Sequence, residues 1–209
     1  MTLFTIATLA SLAVAEPPHW QPLSSIVPLT IPASPTSSGD DEKKAESRKR
    51  ASLRTLHRAF GITTWISLGA TNAIGTARYA NVIGFGTPLC TEGSPVLGRT
   101  WGCGDGLRYQ HLISASFTSL SYATTRVLAG LMPDPYGAGE GDDLHAKKLR
   151  IHRALSWVHL AGMIAMPLLG LATSMTDDID KRRGLATAHL ITGYTTFAAL
   201  STAAVIMIF

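Results

Sequence analysis

Charge is what this sequence has least of where it matters: 15% of its 209 residues are charged against 46% hydrophobic, and the two classes are not mixed. Nearly all Lys and Arg fall in an early segment and in short clusters between four long stretches almost free of charge. That excludes the alternating faces of an ordinary soluble helical domain. Paired carboxylates are also missing from the stretches, as are obvious helix breaks, which argues against a transporter with a midplane ion site. No activated nucleophile, phosphate loop or acid–base pair is present, which argues against a self-contained hydrolase.

What is present is membrane-like. The stretches cover residues 60–82, 112–132, 154–175 and 185–209. Each meets the roughly 20 residues needed to cross a hydrocarbon layer about 30 Å thick. All carry many Gly, Ala, Ser and Thr, the residues through which membrane helices approach closely. The expected fold is an all-α membrane protein, a four-helix transmembrane domain over residues 53–209. Residues 1–15 form a separate object: an apolar run over 3–14 too short to span, ending in Ala13-Val14-Ala15. This has the form of a cleaved signal peptide. Residues 16–52, rich in Pro and then in charge, are expected to be a disordered tail.

Orientation draws on two signals that disagree. The side bearing residues 16–56, here the near side, collects eleven basic residues, among them Arg48, Lys49, Arg50, Arg54, Arg58, Lys147, Lys148, Arg150 and Arg153. The far side, with the 84–110 loop, holds six: Arg78, Arg99, Arg108, Lys181, Arg182 and Arg183. The positive-inside rule turns the near side to the cytoplasm, whereas a cleaved signal peptide turns it outward. Cys90 and Cys103 share the far loop, and a disulfide between them would require an oxidising compartment; two unrelated thiols are the alternative.

An internal repeat organises the rest. Leu56-His57-Arg58-Ala59 opens the first stretch and Ile151-His152-Arg153-Ala154 the third, with Gly75 and Gly170 each eighteen residues after the His. His111-Leu112-Ile113 opens the second and His189-Leu190-Ile191 the fourth. The chain therefore reads as two helical hairpins on one plan. Because neighbouring helices run antiparallel, His57 and His152 share a depth near one surface, and His111 and His189 share a depth near the other.

Imidazole pairs across a helical bundle suit the axial positions of a six-coordinate haem. Structural zinc fits less well, since it takes four ligands and no Asp, Glu or Cys accompanies either pair. Neither cysteine lies in a Cys-x-x-Cys-His sequence, so the haems would be held non-covalently. Two haems, one towards each face, would relay electrons across the bilayer. The bland alternative makes each His an interfacial residue at headgroup level. His159, seven residues after His152, is a second candidate ligand, a hydrogen-bond donor to the haem edge, or a satisfied core histidine; the repeat has Thr64 there. Arg126 either snorkels to the near surface or pairs with a haem propionate.

The pattern resembles the cytochrome b561 family, on the four stretches and His57, His111, His152 and His189. The resemblance implies a transmembrane electron-transfer protein with two haems b on those four ligands, the membrane component of an oxidoreductase. It has no clear counterpart of the family's ascorbate-binding motifs. The expected setting is a bacterial inner (plasma) membrane, with the lipid bilayer and a redox partner protein or small electron donor as partners. Nucleic acid is not expected, since anionic headgroups are the simpler partner for the basic segment. The rival is a non-redox assembly or accessory subunit whose histidines are architectural.

Overall fold

The computed structural model describes residues 38–208, so the expected signal peptide and residues 16–37 of the expected tail lie outside the described residues. Among the described residues there is no strand. Four long helices carry the structure: α1 (Ser38–Val82), α4 (Asp105–Leu131), α5 (Leu144–Met175) and α6 (Ile179–Ile208). Two short ones, α2 (Leu89–Glu92) and α3 (Gly98–Gly102), lie in the α1–α4 connection. The strongest packing joins α1 to α4 and α5 to α6, and α1 then meets α6. Two hairpins side by side is what the sequence repeat describes.

Composition predicts an irregular tail through residue 52; the structure corrects this, starting α1 at Ser38. From there the chain has no Pro until Pro88 and is rich in Ala, Glu, Lys and Arg, which favour helix. Asp40 and Asp41 occupy the first turn, where negative charge meets the positive end of the helix dipole. At 45 residues α1 is about 67 Å long, more than twice a hydrocarbon thickness.

α5 and α6 are long and apolar enough to cross a membrane, each with a mean hydropathy of 1.6 over its most apolar window. Only 17% of that window is buried in α5 and 22% in α6, unlike the core helix of a soluble domain. α1 and α4 are diluted by hydroxyl residues. Thr63, Thr64, Thr71, Thr76, Thr118, Thr124 and Thr125 each return a hydrogen bond to the carbonyl four residues back, so their polarity is satisfied within the helix.

The interior is polar for its size. Thr64, Thr71, Thr118, Ser121, Thr125, His159 and Thr196 are buried, around a small apolar centre of Leu68, Tyr122 and Met163. The outward positions are apolar on all four long helices, for example Ile66, Leu120, Leu168 and Ile191. Thr71 meets Thr118 hydroxyl to hydroxyl at 3.1 Å, and Thr64 meets Ser121 at 3.0 Å, sewing α1 to α4. In the second hairpin Gly162 lets α5 close on Thr196 of α6, where a Cβ would collide. The seam between hairpins is polar too: Trp65 donates to Ser201, Asn72 to the Gly193 carbonyl, and Thr76 meets Tyr194.

The connections are held by specific side chains. In the far loop the structure joins Cys90 to Cys103 in a disulfide. Asn81, fully buried, donates to the carbonyls of Val96 and Gly102 and accepts from the Val96 N–H. On the near side the α4–α5 loop hangs on arginines. Arg50 reaches the Pro133 carbonyl at 2.7 Å and Asp134 at 2.6 Å, and Arg153 takes the other Asp134 oxygen at 3.2 Å. Arg150 holds the Gly139 and Gly141 carbonyls. The Ala138 N–H first, then the charge of Arg50, holds the Asp134 carboxyl below the ordinary carboxylate range.

Candidate functional site: two histidine pairs

The near-side histidines are anchored identically. His57 Nδ1 lies 3.0 Å from the Thr125 carbonyl and His152 Nδ1 lies 3.0 Å from the Ala203 carbonyl. Thr125 is fourteen residues after His111, and Ala203 fourteen after His189. The repeat therefore reproduces the contact as well as the residue. A carbonyl can only accept, so Nδ1 donates in both, which leaves Nε2 as the nitrogen that could carry a lone pair. In metal-binding proteins a carbonyl that accepts from one ring nitrogen in this way orients the imidazole and leaves its other nitrogen to the metal.

The far-side histidines meet directly. The rings of His111 and His189 stand with centroids 6.0 Å apart and planes at 73°. Both Nδ1 atoms are buried and lack a close hydrogen bond, but each faces a backbone carbonyl, His111 that of Thr71 and His189 that of Met166. Gly75 and Gly170, the repeat-matched glycines, make the room. A Cβ on Gly75 would lie 2.9 Å from the His111 ring, and one on Gly170 would lie 3.4 Å from that of His189.

Both far rings line a cavity of about 330 Å³, together with Asn72, Tyr79, Arg78, Arg108 and Arg182. Arg108 leans on Asp105 at 3.6 Å and Arg182 on Asp177 at 3.9 Å. Arg78, by contrast, has no carboxylate partner among the described residues. The cavity thus combines two imidazoles with a cationic wall, and it would accept a flat apolar group that carries anionic substituents.

The remaining candidates fall between the ends. His159 is buried, with Nδ1 2.9 Å from the Tyr122 hydroxyl and the rings edge to face. Arg126 donates to Ser156 at 3.2 Å and lies over the Trp157 ring at 5.5 Å, tying α4 to α5. Its guanidinium is engaged within the protein. His145 is exposed.

Compared with protein-family models, curated proteins and solved structures, the chain matches none. Its own geometry has to carry the functional argument. Among the described residues no group of three or more His, Cys, Asp or Glu is placed to hold a metal ion, so each site offers two imidazoles. Sequence reasoning noted Gly75 and Gly170 as repeat markers but not as cradle residues, and it missed Arg78, Arg108 and Arg182 as cavity wall. The signal for the glycines was their shared spacing from His57 and His152. Nothing in the spacing points the arginines at His111.

Proposed function

We propose that this chain is a four-helix transmembrane electron carrier that holds two b-type haems, one on His57 and His152 and one on His111 and His189. The observation that carries the reading is the far pair: two imidazoles with ring centroids 6.0 Å apart, lining a glycine-cradled cavity with an arginine wall. A hydroxyl-rich interior inside an apolar exterior supports insertion of all four long helices, since lipid replaces water as the outer solvent. The resemblance to the cytochrome b561 pattern points the same way.

In this reading haem iron, when bound, supplies one-electron chemistry by cycling between ferric and ferrous states. The chain's residues do the rest. His111 and His189 offer ring nitrogens, while Arg78, with Arg108 and Arg182, offers positive charge to carboxylate substituents. At the near end the carbonyls of Thr125 and Ala203 fix the His57 and His152 tautomers. The two levels are separated by the fourteen residues from His111 to Thr125, about 21 Å of helix rise, most of a hydrocarbon thickness. The electron donor is a partner protein or a small reductant. In this reading basic charge and the Cys90–Cys103 disulfide favour a cytoplasmic near side, against the outward placement that a cleaved signal peptide would give.

An absorption spectrum and pyridine haemochrome assay of protein purified from haem-replete cells tests this. Low-spin b-type bands at two haems per chain are expected. His57→Ala and His152→Ala should each remove the same spectral component, and His111→Ala and His189→Ala the other. Colourless protein would overturn the redox reading in favour of an accessory subunit with architectural histidines.

A further inference from the structure

The six basic residues of the far side and the eleven of the near side are put to different uses. On the far side Arg78, Arg108 and Arg182 line the cavity, Arg183 holds the Ile83 carbonyl, and Lys181 lies 4.0 Å from Asp178. On the near side Arg50, Arg150 and Arg153 are taken up by the α4–α5 loop. Arg54 and Arg58 of α1 and Lys147 and Lys148 of α5 are not. None of the four joins an ion pair among the described residues, and all are exposed except Lys148, which is half-buried.

Their level along the helices gives these free cations a use. Counted from the level of His57 and His152, Arg58 stands about 1.5 Å inward, and Arg54, Lys148 and Lys147 stand about 4.5, 6 and 7.5 Å outward. All four fall in a slab roughly 9 Å deep, comparable to the roughly 5–7 Å of headgroups on one side of a bilayer. Just inward of them the exterior turns apolar, with Phe60, Ile62 and Trp157 exposed. Neither helix supplies a counter-charge at this level, since no Asp or Glu occurs between Glu46 and Glu92 or between Asp143 and Asp177. Asp143 spends its carboxylate on the Ala146 N–H.

The four also sit at two corners of the bundle. α1 packs on α4 and α6, while α5 packs on α6 and, through Arg126–Ser156 and Tyr122–His159, on α4. α1 and α5 therefore stand diagonally. A soluble protein seated against one corner leaves the other uncovered, whereas a ring of lipid reaches both.

Resting on insertion of the four long helices and not on the haems, we infer that Arg54, Arg58, Lys147 and Lys148 form a collar that binds the phosphate groups of anionic phospholipids in the near-side leaflet. Arginine meets phosphate oxygens with a fork of N–H donors. Lysine brings a compact ammonium on an apolar stem that reaches from helix to headgroup.

Electron paramagnetic resonance of spin-labelled lipids, in phosphatidylcholine vesicles holding the full chain, measures how strongly phosphatidylglycerol associates relative to phosphatidylcholine. At low salt the expected preference is about fivefold, the equivalent of about 1 kcal/mol for one cation at the surface, and it should shrink as salt rises. Arg54→Gln with Arg58→Gln, and Lys147→Gln with Lys148→Gln, should each lower the ratio, and all four together should bring it close to one. Arg99→Gln with Lys181→Gln, at the far end, should leave it in place, and an equal loss there would overturn the near-side assignment. Circular dichroism and melting profiles report whether each variant is folded. A ratio near one in the wild type, or one that survives the four substitutions in folded protein, would overturn the inference, leave insertion intact and hand these cations to water or to an acidic soluble protein. Wild-type chain stripped from the vesicles by alkaline carbonate would overturn insertion and inference together.

Discussion

The two ends of this molecule hold equivalent histidine pairs by different means. At the near end each imidazole is tied to a carbonyl of its hairpin partner, His57 to Thr125 and His152 to Ala203. At the far end the rings rest against glycines, and their Nδ1 atoms face the Thr71 and Met166 carbonyls without a close hydrogen bond. The near end is held by close hydrogen bonds, the far end more by contact with glycine. Side chains anchored to backbone tolerate loss of nearby packing, whereas rings placed by close contact respond to every added carbon. The far end should therefore be the more fragile site, and substitution can expose the difference.

The largest effect is expected at Gly75. Its Cβ position lies 2.9 Å from His111, so Gly75→Val should displace the ring and, on the proposed two-haem reading, abolish the far-end haem while leaving the near spectrum in place. Gly170→Ala, at 3.4 Å from His189, is near ordinary contact and should be tolerated. Haem content and spectrum of the two variants decide this; equal tolerance would mean that the glycines serve helix packing alone.

A smaller effect is expected in the loop above the far end. Asn81→Ala removes three hydrogen bonds and leaves the Val96 N–H and two carbonyls without partners. The cost should be about 2 kcal/mol, the usual penalty for stranding buried polar groups. Thermal unfolding in detergent measures it, and limited proteolysis should locate new cleavage in residues 84–104 rather than in the long helices.

The smallest effect concerns the near loop and depends on pH. Asp134 is held below the ordinary carboxylate range when folded, so its contribution is complete above about pH 4. It is lost as pH falls through the lower folded value, because protonation removes the charge that Arg50 and Arg153 grip. A nitroxide at residue 142 should grow more mobile over that acid range, and Asp134→Asn should show the mobile spectrum at every pH. Mobility that ignores pH in the wild type would mean that Arg150 holds the loop alone.

These contrasts mark how far the sequence could be read. Segregated charge was enough to predict long apolar helices, and the matched His57/His152 and His111/His189 motifs were enough to predict two hairpins. Depth along a helix follows from counting residues at a fixed rise. The helical run over 38–52 was missed because charged composition reads as disorder, while docking of Arg50 on Asp134 is a contact between residues 84 positions apart. The hydroxyl content of α1 and α4 lowers their hydropathy, so the four expected spans reduce to two on length and apolarity alone.

By itself, then, the sequence determined the helices, their pairing by repeat and the level of each histidine. Tertiary structure decided what faces what. It turned Gly75 towards His111, aimed Arg78, Arg108 and Arg182 at one cavity, and joined Tyr122 to His159. Helix rotation and approach distance set those contacts, and both arise from how all the side chains interlock at once rather than from the spacing of any few.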